Sequence, residues 1–245
     1  MLVFLLHGYP NGPIMYASLI EDLMRKAHTP IVIQNRTGRS VDENILLVKE
    51  VLDSYPASQP KMIIAHDWGA FVMWRLLDQF EKWTIIQFVC LSIGFELRHS
   101  PSPTFCFPRF RGYQLLIWFS RYLPRPLSKR LQKNIVNNEY REGEYDNVTS
   151  NYFYSLQNAL FYSSGFHYEF CSLETLEKVS QTTRIIFITT TQDQELGFAS
   201  PESMERLKNL GHDIILLTDQ DHFFIKNPEI QEILWKILDD TQQNI

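Results

Sequence analysis

The sequence predicts one α/β domain: a mostly parallel sheet of about six strands, helices on both faces, and an inserted helical segment. Two observations predict it. Short apolar runs of strand length alternate with amphipathic stretches from residue 2 to residue 92, a β-α-β-α-β-α-β rhythm. The rhythm stops at about Leu97 and resumes after Cys171. A length of 245 residues suits one such domain carrying an insertion. The expected boundaries are 1–96 and 172–245 for the core and 97–171 for a helical cap.

Leu2 to Leu6 is a continuous apolar run, as expected of a strand buried on both faces. It has neither the basic start nor the small-residue cleavage site of a signal peptide, and so reads as a core strand. His7-Gly8-Tyr9-Pro10-Asn11-Gly12-Pro13 follows as a loop rich in turn residues. A helix is predicted from Ile14 to Lys26, with Leu19, Ile20, Leu23 and Met24 on its buried face. Ile31-Val32-Ile33 reads as a second buried strand. A helix from Val41 to Leu52 would bury Ile45, Leu46, Val48, Val51 and Leu52.

The third strand leads into Ala65-His66-Asp67-Trp68-Gly69, and a helix from about Gly69 to Phe80 comes after it. Thr84 to Ser92 is the fourth strand. After the insertion come a strand at Arg184–Thr189, a helix at Pro201–Leu210 closed by Gly211, and a strand at Asp213–Leu217. A last helix starts at Asn227-Pro228 and runs from Glu229 to Leu238.

Composition narrows the class. A net charge of −5 carries no nucleic-acid signature. No apolar segment reaches the length of a spanning helix. Cys90, Cys106 and Cys171 are an odd set without motif spacing. They form neither a disulfide framework nor a metal site, which points to a reducing, cytoplasmic setting. The insertion is aromatic, and basic in its first half, from Arg98 and Arg109 to Arg130 and Lys133. That pattern fits either a membrane-facing or partner-facing surface or a solvated face over buried aromatics, and the last is favoured.

The chemistry-bearing stretch is 61–73. A strand, a small-x-Asp-x-small turn and a helix in succession have the form of a nucleophile elbow, written G-x-S-x-G where serine is the nucleophile. Here Asp67 holds the nucleophile's position. A carboxylate there can attack carbon and form an ester; the alternative is an aspartate that merely caps the following helix. In open α/β sheets the chemistry lies beyond the carboxyl ends of the strands. Asp67, Asp193 and His222 follow three such ends, in the chain order nucleophile, acid, histidine. Glu195 and Glu96 are rivals to Asp193, and Asp219 and Asp221 read as loop-capping residues beside His222.

With these motifs the chain resembles the α/β-hydrolase superfamily, and within it the epoxide hydrolases. His7-Gly8-Tyr9-Pro10 is similar to the family's H-G-x-P oxyanion loop, and Ala65-His66-Asp67-Trp68-Gly69 to its aspartate elbow. The resemblance implies Asp67 as nucleophile, His222 and Asp193 as water-activating base and acid, and the backbone N–H groups of Tyr9 and Trp68 as oxyanion hole. It also implies two cap tyrosines on the epoxide oxygen. Tyr113, in Gly112-Tyr113-Gln114-Leu115, matches the first, and Tyr154 is the choice for the second over Tyr152 and Tyr162. The implied substrate is a small apolar electrophile together with water, with no metal and no cofactor. Relatives usually carry two further strands before the H-G-x-P strand, so the expectation is either a sheet shortened to about six strands or a truncated product.

Two other readings compete. Haloalkane dehalogenases share the aspartyl ester, and Trp68 suits a halide, but Tyr9 stands where they place asparagine. A dehalogenase of the fluoroacetate type would need an arginine just after the nucleophile, where Phe71 and Val72 stand. A non-catalytic α/β-hydrolase fold that binds a ligand or partner through its cap is the third reading.

Overall fold

The computed structural model describes residues 1–8, 12–34, 41–97, 123–124, 126–127, 130, 168–169, 171–195, 198–218, 220, 225 and 227–243. Its centre is a six-stranded sheet made of β1 (Leu2–Leu6), β2 (Thr29–Ile33), β3 (Lys61–His66), β4 (Ile85–Leu91), β7 (Arg184–Thr190) and β8 (Asp213–Leu217). The spatial order is β2-β1-β3-β4-β7-β8, and every pairing is parallel. The registers Leu6↔Ala65, His66↔Leu91 and Leu91↔Ile188 align the carboxyl ends of the four inner strands along one edge.

The inner strands are continuous apolar runs because both faces are covered. Successive side chains point to opposite faces, so β1 feeds two cores. Val3 and Leu5 join Leu19, Leu23, Ile230 and Leu234 on one side. Phe4 and Leu6 join Val48, Leu52, Phe71 and Trp74 on the other. The first core lies under α1 (Ala17–Arg25) and α7 (Pro228–Gln243). The second lies under α2 (Val41–Asp53), α3 (Trp68–Arg75), α4 (Leu173–Ser180) and α6 (Pro201–Asn209).

Several expectations are corrected here. β2 is an edge strand and only its last residue, Ile33, is fully buried, because nothing pairs with its outer side among the described residues. Pro30, which has no N–H to donate, suits such an edge. Met24 and Leu46, expected inside, are 64% and 54% exposed. Met15 and Tyr16, in a 3₁₀ turn over Pro13–Tyr16, are buried ahead of α1, and Leu47 packs on the core in place of Leu46. α3 stops at Arg75 and a 3₁₀ turn over Leu77–Lys82 follows, whereas α7 runs five residues past Leu238, to Gln243. Two strands of two residues, β5 (Glu96–Leu97) and β6 (Tyr168–Glu169), pair antiparallel where no strand was expected.

Helix ends follow their local chemistry. Ser200 caps α6 by accepting from Ser203 N–H at 3.0 Å. Gly211, at φ 82°, takes the left-handed turn that closes the same helix. Ser172 caps α4, accepting from Thr175 N–H at 3.1 Å. No helix among the described residues is long and apolar enough to cross a membrane.

Polar groups at the amino edge of the sheet serve backbone. Lys61 is fully buried, and its ammonium donates to the carbonyls of Pro56 (2.7 Å) and Gln59 (2.9 Å). His212 Nδ1 accepts from Ile185 N–H at 3.2 Å, which leaves Nε2 to donate to Ser180 Oγ at 2.7 Å. Ser180 in turn donates to Leu176 O at 2.6 Å. A protonated imidazole would turn an N–H against Ile185 N–H. Burial accordingly lowers the His212 pKa, with Asp213 opposing. His28 is lowered too, by burial first and then by the N-terminus and Lys26, with Asp239 opposing.

These depressed values fix a sign. The unfolded chain takes up protons at the ordinary histidine value, near 6.5, while the native state resists them. Stability is full above that pH and falls as pH drops through it. His212→Asn, which keeps an acceptor for Ile185 N–H, should flatten this fall. Denaturant unfolding between pH 5 and 7.5 measures the difference in slope.

Candidate active site

The carboxyl edge of the sheet carries the candidate site. β3 ends at His66, and the chain reverses into α3 within one residue, Asp67. Asp67 holds φ 48° and ψ −116°, a backbone conformation that side chains with a Cβ disfavour. Its N–H still donates to Leu91 O at 3.2 Å and its carbonyl accepts from Phe71 N–H at 3.0 Å, so strand ladder and helix ladder meet at this residue. Asp67 occupies the N-cap position, yet its side chain makes no capping hydrogen bond. The capping alternative is thereby removed. The residue is 6% exposed.

Two glycines make the turn possible. A Cβ on Gly69 would lie 2.5 Å from Leu6 O and 2.7 Å from Leu6 Cβ. A Cβ on Gly8 would overlap Asp67 Cβ and lie 2.5 Å from Asp67 Oδ2. The His7-Gly8 corner after β1 is thus packed directly on the Asp67 side chain. His7 is buried beside it, with Nδ1 3.0 Å from Gly8 O. Trp68, the first residue of α3, is half-buried, its ring 5.1 Å from that of Phe71.

Asp193 lies beyond β7, two strands from Asp67 (about 10 Å at ordinary strand spacing). It sits in a helical turn, α5 (Thr191–Glu195), rather than in an open loop, and is fully buried. Its N–H donates to Thr190 Oγ1 at 3.0 Å, and its carbonyl accepts from Phe198 N–H at 2.8 Å. Thr189 Oγ1 lies 3.5 Å from Asp193 Oδ2. Of the rivals, Glu195 is in α5 and Glu96 in β5.

Tyr9, Pro10, Tyr113, Tyr154, Tyr152, Tyr162 and His222 lie outside the described residues. Among the described residues no three His, Cys, Asp or Glu side chains gather as a metal site. Sequence reasoning missed Thr189, Thr190 and Ser92 around Asp193; a run of threonines at a strand end is the only local signal there.

Gly69→Ala meets backbone and should cost about 2–3 kcal/mol. Gly8→Ala meets Asp67 Cβ, which the elbow backbone holds in place, and should cost at least as much. Thermal unfolding of the two variants should show that order.

No protein-family model matches the sequence, and comparison with curated proteins finds no match. Solved structures do match in shape. A carboxylesterase structure from the ammonia-oxidizing thaumarchaeon Nitrososphaera gargenis superposes with a TM-score of 0.67 at 14% identity, covering 100% of this chain and 92% of that one. MenH from S. aureus superposes at 0.68 and 12%, covering 99% and 94%. MGS-M2, an α/β hydrolase from a Medee basin deep-sea metagenome library, superposes at 0.58 and 11%, covering 95% and 86%. At such identities the likeness speaks for architecture alone. With a parallel six-stranded sheet, helices on both faces and a one-residue strand-to-helix reversal, the chain has the α/β-hydrolase fold.

Proposed function

We propose that the protein is a hydrolase that opens an epoxide to a vicinal diol through an ester on Asp67. The observation that carries this reading is the Asp67 backbone, at φ 48° and ψ −116°, with the carboxylate released from capping duty. A strained strand-to-helix turn is how this fold presents a nucleophile. A carboxylate on that turn attacks carbon at an alkyl centre. A serine esterase is excluded by the residue itself.

In the first step an Asp67 oxygen attacks an epoxide carbon, the ring C–O bond breaks, and Tyr113 and Tyr154 deliver hydrogen bonds and a proton to the departing oxygen. Asp67 must be ionised to attack. The first-turn N–H groups of α3 favour that charge. In the second step His222, oriented by Asp193, takes a proton from water as the water oxygen attacks Asp67 Cγ. The resulting oxyanion is held by the N–H groups of Tyr9 and Trp68; loss of one such donor costs about 10²–10³ in rate. Collapse expels the diol oxygen, which receives the proton from His222; the second proton of the water returns to the tyrosine, and Asp67 is regenerated as a carboxylate carrying an oxygen from water.

A dehalogenase would use the same ester, and the half-buried Trp68 beside Asp67 supports that second reading. One experiment separates the two. His222→Gln removes the base and should trap the ester, so intact-mass and peptide analysis after exposure to epoxides should show an adduct of the full epoxide mass on Asp67. An alkyl adduct formed only from haloalkanes, with halide release, would reverse the choice. Absence of an adduct from both panels would favour a binding protein. In the otherwise native enzyme, Tyr113→Phe should slow ester formation more than ester hydrolysis in single-turnover kinetics.

A further inference from the structure

Asp67 is not alone at this edge in holding a left-handed backbone. Ser92, the residue after β4, has φ 74° and is fully buried. Ile93 N–H donates back to Leu91 O at 3.0 Å, so the chain reverses within three residues centred on Ser92. A hydrogen bond of that span, with positive φ at the central residue, is the rare and strained form of the γ-turn. Leu91 O also accepts Asp67 N–H, at 3.2 Å. A carbonyl oxygen has two lone pairs. The bond that fixes the Asp67 backbone and the bond that closes the turn therefore share one acceptor.

The turn is held on several sides. Ser92 N–H donates to Ile188 O at 2.8 Å, and Gly94 N–H to Phe198 O at 2.9 Å. Ser92 O lies 3.4 Å from Thr189 Oγ1. Ile93 O accepts Trp74 Nε1 at 2.8 Å, and Trp74 belongs to α3, the helix that starts after Asp67. Residues 91–93 thus bond to both arms of the elbow, its strand side through Leu91 O and its helix side through Ile93 O. Strain at a buried residue other than glycine persists where the surroundings over-determine it, and such outliers cluster at sites of function.

We infer that Ser92 is a positioning residue for Asp67: its strained turn aims the Leu91 carbonyl at Asp67 N–H and so sets the backbone from which the carboxylate attacks. The inference rests on the reading of Asp67 as nucleophile given above. The role belongs to the backbone turn and not to the serine hydroxyl. Ser92 makes and breaks no covalent bond. Its leverage is geometric, since a reacting group misplaced by about 1 Å can lose on the order of 10² in rate.

Three variants separate the turn from packing and from the hydroxyl. Glycine adopts positive φ without strain. Alanine keeps the Cβ and drops the hydroxyl. Valine, β-branched, is an outlier at positive φ. In single-turnover ester formation at saturating epoxide, Ser92→Gly and Ser92→Ala should stay within about twofold of the unaltered protein, and Ser92→Val should be about tenfold slower. The epoxide dissociation constant from the same data should not move. A side chain that merely fills space would make Ser92→Gly slower than Ser92→Ala, and one that acts through its hydroxyl would make both slow; either result overturns the inference. So does a folded Ser92→Val that forms ester at the unaltered rate.

Amide hydrogen exchange reads the same turn without substrate. Relative to Ile64 and Val89 in the same variant, the amides of Asp67 and Ile93 should exchange about tenfold faster, and together, in Ser92→Val, and no faster in Ser92→Gly. If Ser92→Val does not fold, Ser92→Gly decides alone: faster exchange at Asp67 overturns the inference, and unchanged exchange with unchanged ester formation supports it. Absence of ester in the unaltered protein, with exchange in the expected order, overturns the functional reading and leaves the coupling of Ser92 to Asp67 standing.

Discussion

The approach of α3 to β1 governs the upper edge of the sheet. Leu6 O meets Gly69 at a separation that leaves no room for a Cβ. The same carbonyl accepts the buried Tyr16 hydroxyl at 2.8 Å, and burial holds that phenol far above its ordinary range. The end of β1 is therefore clamped from both faces. With α3 drawn so close, the chain has one residue in which to turn from strand to helix, and Asp67 must take a left-handed backbone. Strain of this kind costs on the order of 1–3 kcal/mol and persists where the surroundings over-determine it. Here two cores and two ladders do so.

The two edges of the sheet use buried polar groups differently. At the amino edge Lys61, Thr183 and His212 each bond a backbone group and tie loops to strands. Trp83 Nε1 donates to Asp53 Oδ1 at 2.6 Å and joins α2 to the turn after α3. At the carboxyl edge the buried polar groups are histidines, carboxylates and hydroxyls from different strand ends, gathered by register rather than by sequence. One edge ties loops to strands; the other holds Asp67 and Asp193.

How far the sequence could be read follows the same division. The inner strands β1, β3, β4 and β7 are legible because burial on both faces demands unbroken apolar runs. β2 carries a similar run, Ile31-Val32-Ile33, and composition alone does not reveal that it lies at an edge. Met24 and Leu46 were misplaced because a 3₁₀ turn and helix phase decide which way a short apolar pair faces. β5 and β6 are too short to show a period. In the candidate site Asp67 and Gly8 stand out because tight turns demand small neighbours at fixed spacing. Ser92 and Thr189 do not, since their relation to Asp193 arises from a backbone angle and a cross-strand register that no local pattern encodes.

The β5–β6 ribbon sets Leu97 opposite Tyr168 and Glu96 opposite Glu169. Residues 98–167 thus leave and re-enter the core at neighbouring points, about one strand spacing apart. Such a segment can lengthen, shorten or change composition at little entropic cost to the sheet, since closure of a loop depends only weakly on its length. Evolution can therefore redraw residues 98–167 without disturbing the register that holds Asp67.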